Sequence, residues 1–343
     1  MAQIVIFGAA GYSGLELMRW LAWHPEVEVV AASSDARDGE LVEEAIPGGP
    51  VGLRFTSHVE TLAGTEAGQI AFLATPALTA AELAPTLLER GLRVIDLSGG
   101  HRLPAEQYPE WYGFEHPFPS SLEEAWYGLP ELTGIDGLAE ARLVANPGCY
   151  ATAAALAAAP LVRSGLLAEG ATLVVDGKSG ATGAGKSLKT PMLYSELADD
   201  VRPYRVGKHQ HTPEIERTLA ALGGSDPKVF FTAHLVPMRR GLLCSVYAPA
   251  RSGLDAAAVS EAFQSLYADA PGVRLRASEP PETKRTAHQP HAEVWGHLDP
   301  RTGIVSAFGA IDNLVKGAAG QAIQNLNGML GVPLLTGLTP SGR

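Results

Sequence analysis

The sequence predicts an α/β protein in which a Rossmann-type, doubly wound parallel sheet is followed by a second α/β region. Three observations carry this reading. Short apolar strands alternate with helix-length segments through the first third of the chain. The first strand runs into a glycine-rich turn that opens a helix. At 343 residues, with 46% apolar and 18% charged residues, the chain is long enough for two domains with substantial cores.

Taken in order, Gln3–Phe7 reads as a strand, Gly14–His24 as a helix, and Val27–Ala32 as a second strand ending in Ser33-Ser34. Ile70–Ala74 is a third strand, Ala77–Arg90 a helix and Arg93–Leu97 a fourth strand. This alternation gives a parallel sheet with helices on both faces. The stretch His101–Leu132, rich in Pro, Trp and Tyr, reads as irregular. Ala141–Ala145 looks like the end of a strand, and the Ala/Leu run Ala151–Ala159 has helix-forming composition. The second region begins near Pro147, with strands at Ala171–Asp176, Val229–Pro237 and Leu242–Ala248, a helix over Ser260–Ala268, and a strand at Ile304–Ala310. Leu314–Leu330 has helical spacing and suits a return to pack on the first domain.

Composition narrows the function. A formal net charge of −11 disfavours broad nucleic-acid or anionic-membrane binding. Two cysteines in so long a chain give no disulfide framework and suit a reducing, cytoplasmic compartment. Met1–Phe7 enters a strand with no basic leader, so no signal peptide is expected, and no run approaches the roughly 18 apolar residues of a membrane span.

Four segments carry chemistry. Cys149, in Asn146-Pro147-Gly148-Cys149-Tyr150, lies between a strand and a helix, where unpaired N–H groups and the helix dipole favour a thiolate. On position alone it is either a reactive thiol or an ordinary buried one. The turn Gly8-Ala9-Ala10-Gly11-Tyr12-Ser13-Gly14 is a dinucleotide-type turn, with glycines that let the backbone approach a pyrophosphate. After strand two, Ser33, Ser34 and Arg37 suit a 2′-phosphate, while Asp35 suits a ribose hydroxyl. Gly180-Ala181-Thr182-Gly183-Ala184-Gly185-Lys186-Ser187 matches the P-loop pattern of NTPases and kinases, but Pro191 soon after it denies the sustained helix such a loop needs. The better reading is a glycine-rich loop whose N–H groups can face a phosphate. In Gly207-Lys208-His209-Gln210-His211-Thr212-Pro213-Glu214, Thr212 and Pro213 suit a helix start, so both histidines are expected on the loop before it. Two histidines there suit proton transfer; as a metal pair they lack an evident third ligand, so no metal is expected.

Together these segments resemble the N-acetyl-γ-glutamyl-phosphate reductase family. So do Trp111-Tyr112-Gly113, Tyr127-Gly128-Leu129-Pro130-Glu131, Pro237-Met238-Arg239-Arg240-Gly241 and Ala310-Ile311-Asp312-Asn313-Leu314-Val315-Lys316-Gly317-Ala318-Ala319-Gly320. The matches run in order from Gly8 to Gly328. One departure stands out: Ser98-Gly99-Gly100-His101-Arg102 has Gly-His where the family carries an acidic-aromatic pair, which should alter that loop.

The resemblance implies a dinucleotide-binding domain over residues 1–147, completed by about 313–343, and an α+β catalytic and dimerisation domain of the semialdehyde dehydrogenase type over 148–312. It implies NADP(H) as cofactor, an acyl phosphate substrate, a homo-oligomer (dimer or tetramer), and Cys149 as a nucleophile that forms a thioester. His209 is the first choice as acid/base, with His211 sharing that role or binding substrate. Implied cofactor contacts are Gly8, Gly11, Tyr12, Ser13, Gly14, Ser33, Ser34, Arg37, Ser98, Gly183 and Asn313. Implied substrate contacts are Arg102, Asn146, Ser179, Glu214 and Arg240, while Cys244 is expected in the core. Two alternatives stay in view: the same chemistry on an aminoadipate-type acyl phosphate, and a P-loop kinase or NTPase.

Overall fold

The computed structural model describes residues 1–223 and 227–338. The chain divides into two units, Met1–Gly148 with Ala318–Arg343, and Cys149–Gly317. Helices of six or more residues are numbered below.

In the first unit, β1 (Ala2–Phe7), α1 (Tyr12–Leu21), β2 (Val27–Ser33), β3 (Phe55–Thr56), α2 (His58–Ala63), β4 (Ile70–Leu73), α3 (Ala77–Glu89), β5 (Arg93–Asp96), β6 (Ala125–Tyr127) and β7 (Leu143–Ala145) follow in order. Their sheet runs β3-β2-β1-β4-β5-β7-β6, and every pairing is parallel. Strands buried on both faces must be apolar throughout, and Ile4, Val5, Ile6 and Phe7 are all at most 1% exposed. The stretch expected to be irregular contains β6 and several one-turn helices.

In the second unit come α4 (Cys149–Arg163), β8 (Thr172–Gly180), β9 (Arg202–Tyr204), α5 (His211–Gly223), β10 (Lys228–Val236), β11 (Leu242–Pro249), α6 (Ala256–Tyr267), β12 (Val273–Leu275), β13 (Ala292–Asp299) and β14 (Ile304–Ile311). They form a mixed sheet in the order β12-β13-β14-β11-β8-β10-β9. Helix α4 lies on this sheet, and its alanines from Ala151 to Ala159 are fully buried because helices and strands enclose it on several sides. Small residues permit that close approach.

The C-terminal stretch expected as one helix is a π-turn, Val315–Ala319, followed by α7 (Gly320–Leu330). Ala322, Ile323 and Leu326 of α7 join the core of the first unit with Ile4, Ile6 and Leu17. Residues 339–343, included in the expected C-terminal completion, lie outside the described residues. Among the described residues no helix is long and apolar enough to cross a membrane.

Candidate active site

The turn after β1 is built for a bound phosphate group. Gly8 has φ +77°, and a Cβ there would meet the Ala74 carbonyl oxygen at 2.6 Å, so only glycine fits. Gly11 is the extended residue before α1, and Tyr12, Ser13 and Gly14 form its first turn, where amide N–H groups have no intrahelical partner. Among the described residues the buried hydroxyl of Thr75, beside Gly8, finds no hydrogen-bond partner, and a ligand would satisfy it. Nothing in the local sequence around Thr75 signals it.

The residues after β2 divide differently from their sequence reading. Ser33 is fully buried and its hydroxyl accepts the Gly8 N–H at 3.2 Å, so it braces the turn from beneath. Asp35 accepts the His58 N–H at 2.8 Å, which commits one carboxylate oxygen to the start of α2. Arg37 lies over the Phe55 ring, 5.7 Å from its centroid, with Nε donating to Glu40 at 2.8 Å. Ser34 is nearly buried beside it.

The Ser98–Arg102 loop explains its own departure. A Cβ at Gly100 would come within 2.9 Å of the Ala77 carbonyl oxygen and 3.0 Å of Asp96 Oδ2, so no acidic side chain fits there beside Asp96. Asp96 takes the Ser98 N–H and the His101 Nδ1–H, each at 2.7 Å, and both side chains of the Asp96–His101 pair are buried. Burial raises the Asp96 carboxyl, but the hydrogen bonds from His101 and Ser98 outweigh it and hold it below the usual carboxylate range. Arg102, expected to grip substrate, donates Nε to the Asn146 carbonyl at 2.8 Å and Nη2 to the Leu97 carbonyl at 2.7 Å. Asn146 is fully buried, donating to the Ala318 carbonyl at 3.3 Å and accepting from Asn325 at 3.0 Å. Both residues hold the ends of β5 and β7 within the first unit.

In the second unit Cys149 is the first residue of α4 and is partly exposed. The ring of Tyr150, its neighbour in sequence, packs against His209 at 5.5 Å and His211 at 6.0 Å. Tyr204 joins them, 5.7 Å from His209, with its hydroxyl 3.4 Å from that of Tyr150. Burial pushes Tyr204 up to about 12 and raises Tyr150 further, so both stay neutral phenols. Neither tyrosine was singled out from sequence; Tyr150 could have been, from its place beside the cysteine.

The two histidines differ. His209 sits in an aromatic box, and its Nδ1 accepts the His211 N–H at 3.1 Å. Burial, with smaller contributions from the charges of His211 and Arg205, pushes it down to about 2. His211 is the first residue of α5, not a loop residue, and its Nε2 lies 3.9 Å from Oε2 of the buried Glu214. Glu214 therefore partners His211.

The remaining sequence candidates brace this unit. Asn313 donates to the Thr182 hydroxyl and accepts the Gly241 N–H, both at 2.9 Å, so its amide is engaged within the protein. Ser179 is buried, with its hydroxyl donating to the Gly180 carbonyl at 3.2 Å; Gly183 is exposed nearby. Arg240 pairs with Asp312 at 3.2 Å. Cys244 is fully buried, and burial pushes its thiol up. The P-loop-like segment contains the short 3-10 turn Ala181–Ala184 and is followed by exposed residues and only the single turns Thr190–Met192 and Tyr194–Leu197, not the sustained helix a P-loop requires. Among the described residues no group of three or more His, Cys, Asp or Glu could hold a metal ion.

Comparison with known proteins converges on one family. The semialdehyde dehydrogenase NAD binding domain matches residues 3–137 and the semialdehyde dehydrogenase dimerisation domain residues 149–313. Proteins named N-acetyl-gamma-glutamyl-phosphate reductase are similar over nearly the whole chain. That of Brevibacillus brevis is 41% identical over 342 residues (98% of each chain) and that of Thermus thermophilus 43% over 349 residues (98% of this chain, 99% of the other). The fold is shared with aspartate semialdehyde dehydrogenase II of Vibrio cholerae, complexed with ASA, at TM-score 0.74 and 18% identity, covering 96% of this chain and 98% of that one. The enzyme of Candida albicans with NADP superposes at TM-score 0.69 and 14% identity, covering 96% and 99%.

Proposed function

The chain belongs to the N-acetyl-γ-glutamyl-phosphate reductase family of semialdehyde dehydrogenases, and from that premise we propose how its residues divide the work. The reaction is the NADPH-dependent reduction of N-acetyl-glutamyl 5-phosphate to N-acetyl-glutamate 5-semialdehyde and phosphate. Neither the aminoadipate-type substrate nor the P-loop alternative is favoured.

The Cys149 thiolate attacks the acyl carbon, and the C–O bond to phosphate breaks with the electron pair leaving on phosphate, which yields an enzyme thioester. NADPH, when bound, supplies the hydride that reduces this acyl group. His211, as the imidazolium, gives its proton to the acyl oxygen as that carbon is reduced, and takes it back as the C–S bond breaks with its electron pair leaving on sulfur, releasing aldehyde and thiolate. The Glu214 carboxylate lies beside the His211 ring, 3.9 Å from its Nε2. The observation that carries this reading is the Tyr150 ring, which joins the helix of Cys149 to both histidine side chains. Gly8, Gly11, Tyr12, Ser13 and Gly14 would hold the pyrophosphate, and Ser34 and Arg37 the 2′-phosphate.

A homo-oligomer is supported by the open face of the second sheet. Phe230 (51% exposed), Val174 (42%) and Tyr247 (38%) lie in one register row across β10, β8 and β11. A second copy covering that row would bury it.

The test runs the reaction backwards: enzyme, NADP, phosphate and N-acetyl-glutamate semialdehyde should generate NADPH absorbance. Cys149→Ala should abolish it while still binding NADP. Turnover by that variant would exclude the thioester route.

A further inference from the structure

We propose that His209 is a positioning residue: its Nδ1 accepts the backbone N–H of His211 and thereby fixes where α5 begins and how the His211 ring is presented. This deepens the reading of His211 as the acid/base and rests on it.

The first amides of a helix lack intrahelical acceptors, and a side chain of the residue just before the helix ordinarily supplies one. That residue here is Gln210, whose side-chain oxygen accepts instead from Arg205 Nη1. His209 supplies the missing acceptor from one position further back, at 3.1 Å, while its own carbonyl accepts the Thr212 N–H at 2.9 Å. Nδ1 therefore keeps its lone pair, and the single ring proton is on Nε2.

The ring has no freedom to do otherwise. It is 3% exposed, with Tyr150 of α4 at 5.5 Å and 86°, Phe231 of β10 at 5.1 Å and 86°, and Tyr204 of β9 at 5.7 Å and 61°. Its own segment contributes His211 at 4.7 Å and the charges of Arg205 and Glu214. Three aromatic edges against the imidazole disfavour a charged ring and lock its plane. An immobile neutral imidazole with its lone pair on a backbone N–H is a fixture. The mobile proton then belongs to the other ring, His211, which has a carboxylate beside it.

The experiment compares His209→Asn, His209→Phe and His211→Asn in the full chain, with kcat of the phosphate-dependent semialdehyde oxidation followed against pH and a thermal melt for each. Asparagine places Oδ1 where histidine places Nδ1, whereas phenylalanine fills the box without an acceptor. Phe at 209 should lower kcat by roughly 10- to 100-fold with KM for NADP unchanged, and Asn should recover most of that loss and keep the pH limb. Asn at 211 should erase the limb. His209→Asn as slow as His211→Asn, with its limb erased, would overturn the proposal by making His209 the proton carrier. Full-speed His209→Phe would overturn it by leaving nothing positioned. A His211→Asn variant that keeps both rate and limb would sink the His211 assignment instead, and the two failures are thereby distinguishable.

Discussion

Gly317→Ala tests whether the nucleophile is held by packing. A Cβ on Gly317 would lie 2.8 Å from the Cys149 Cβ, 3.1 Å from Ile311 Cδ1 and 3.3 Å from the Asp312 carbonyl oxygen. Carbon pairs rest at about 3.5–4.0 Å, so the new methyl is about 1 Å too close to Cys149. Ile311 and Asp312 block its retreat, and the strain must be relieved largely by moving Cys149. Overpacking of this kind costs about 1–3 kcal/mol, which for a domain of this size lowers Tm by roughly 2–12 °C. A thiol displaced by about 1 Å costs on the order of 100-fold in kcat, or about 2.7 kcal/mol of barrier.

The assay is kcat and KM for phosphate-dependent NADPH formation, with a calorimetric Tm and the rate of Cys149 alkylation by iodoacetamide. Gly64→Ala is the control, because its Cβ would meet nothing closer than 3.6 Å at a φ of −83°. The expected pattern is a large kcat loss with an unchanged KM for NADP at position 317 and neither at 64. Wild-type kcat and Tm in Gly317→Ala would refute the reasoning.

Three further outcomes are expected. His211→Asn should reduce kcat by about 10²–10⁴-fold, and Glu214→Gln by less, with kinetics against pH as the check. Arg37→Ala should cut the preference for NADP over NAD by roughly 10- to 100-fold, whereas Asp35→Asn should leave it nearly unchanged because one carboxylate oxygen is engaged at the start of α2; paired kcat/KM values with both cofactors decide it. For Asp96 the folded-state carboxyl titrates below its unfolded value, so it stabilises at pH above the unfolded value and loses that contribution as pH falls through the folded one. Asp96→Asn should therefore unfold at lower denaturant concentration at neutral pH, with the gap from wild type closing under acid.

What could be read from the sequence was what local signals encode. The turn at Gly8–Gly14 and the cysteine at the start of α4 are each specified within a few residues by glycine conformation and helix-end chemistry. Strand β13 escaped because Glu293, Gly296 and His297 break the apolar run of Ala292–Asp299, and β3 and β9 are too short to show any period. Which histidine moves the proton was illegible for another reason. His209 is neutralised by Tyr150 and Phe231, which lie far from it in sequence and reach it only in the fold.

The same logic explains why several polar residues flagged as ligand contacts are committed to the protein itself. The strand ends of the first unit carry buried carbonyls and amides that must be satisfied. Arg102 covers the carbonyls of Leu97 and Asn146, Asn325 reaches the Asn146 side chain, and Ser33 takes the Gly8 N–H. A sequence shows that such a residue can hydrogen-bond, but whether its partner is backbone or substrate depends on residues from 5 to 179 positions away that only the fold brings together. Removing one such brace should therefore show as lost stability first and lost rate second, the reverse of a residue that touches the reacting atoms. Arg102→Ala would leave the Leu97 and Asn146 carbonyls without its guanidinium, a loss of about 1–3 kcal/mol each. In denaturant titration that loss should exceed the one expressed in KM for the semialdehyde, and a variant of full stability with a greatly raised KM would return Arg102 to the substrate.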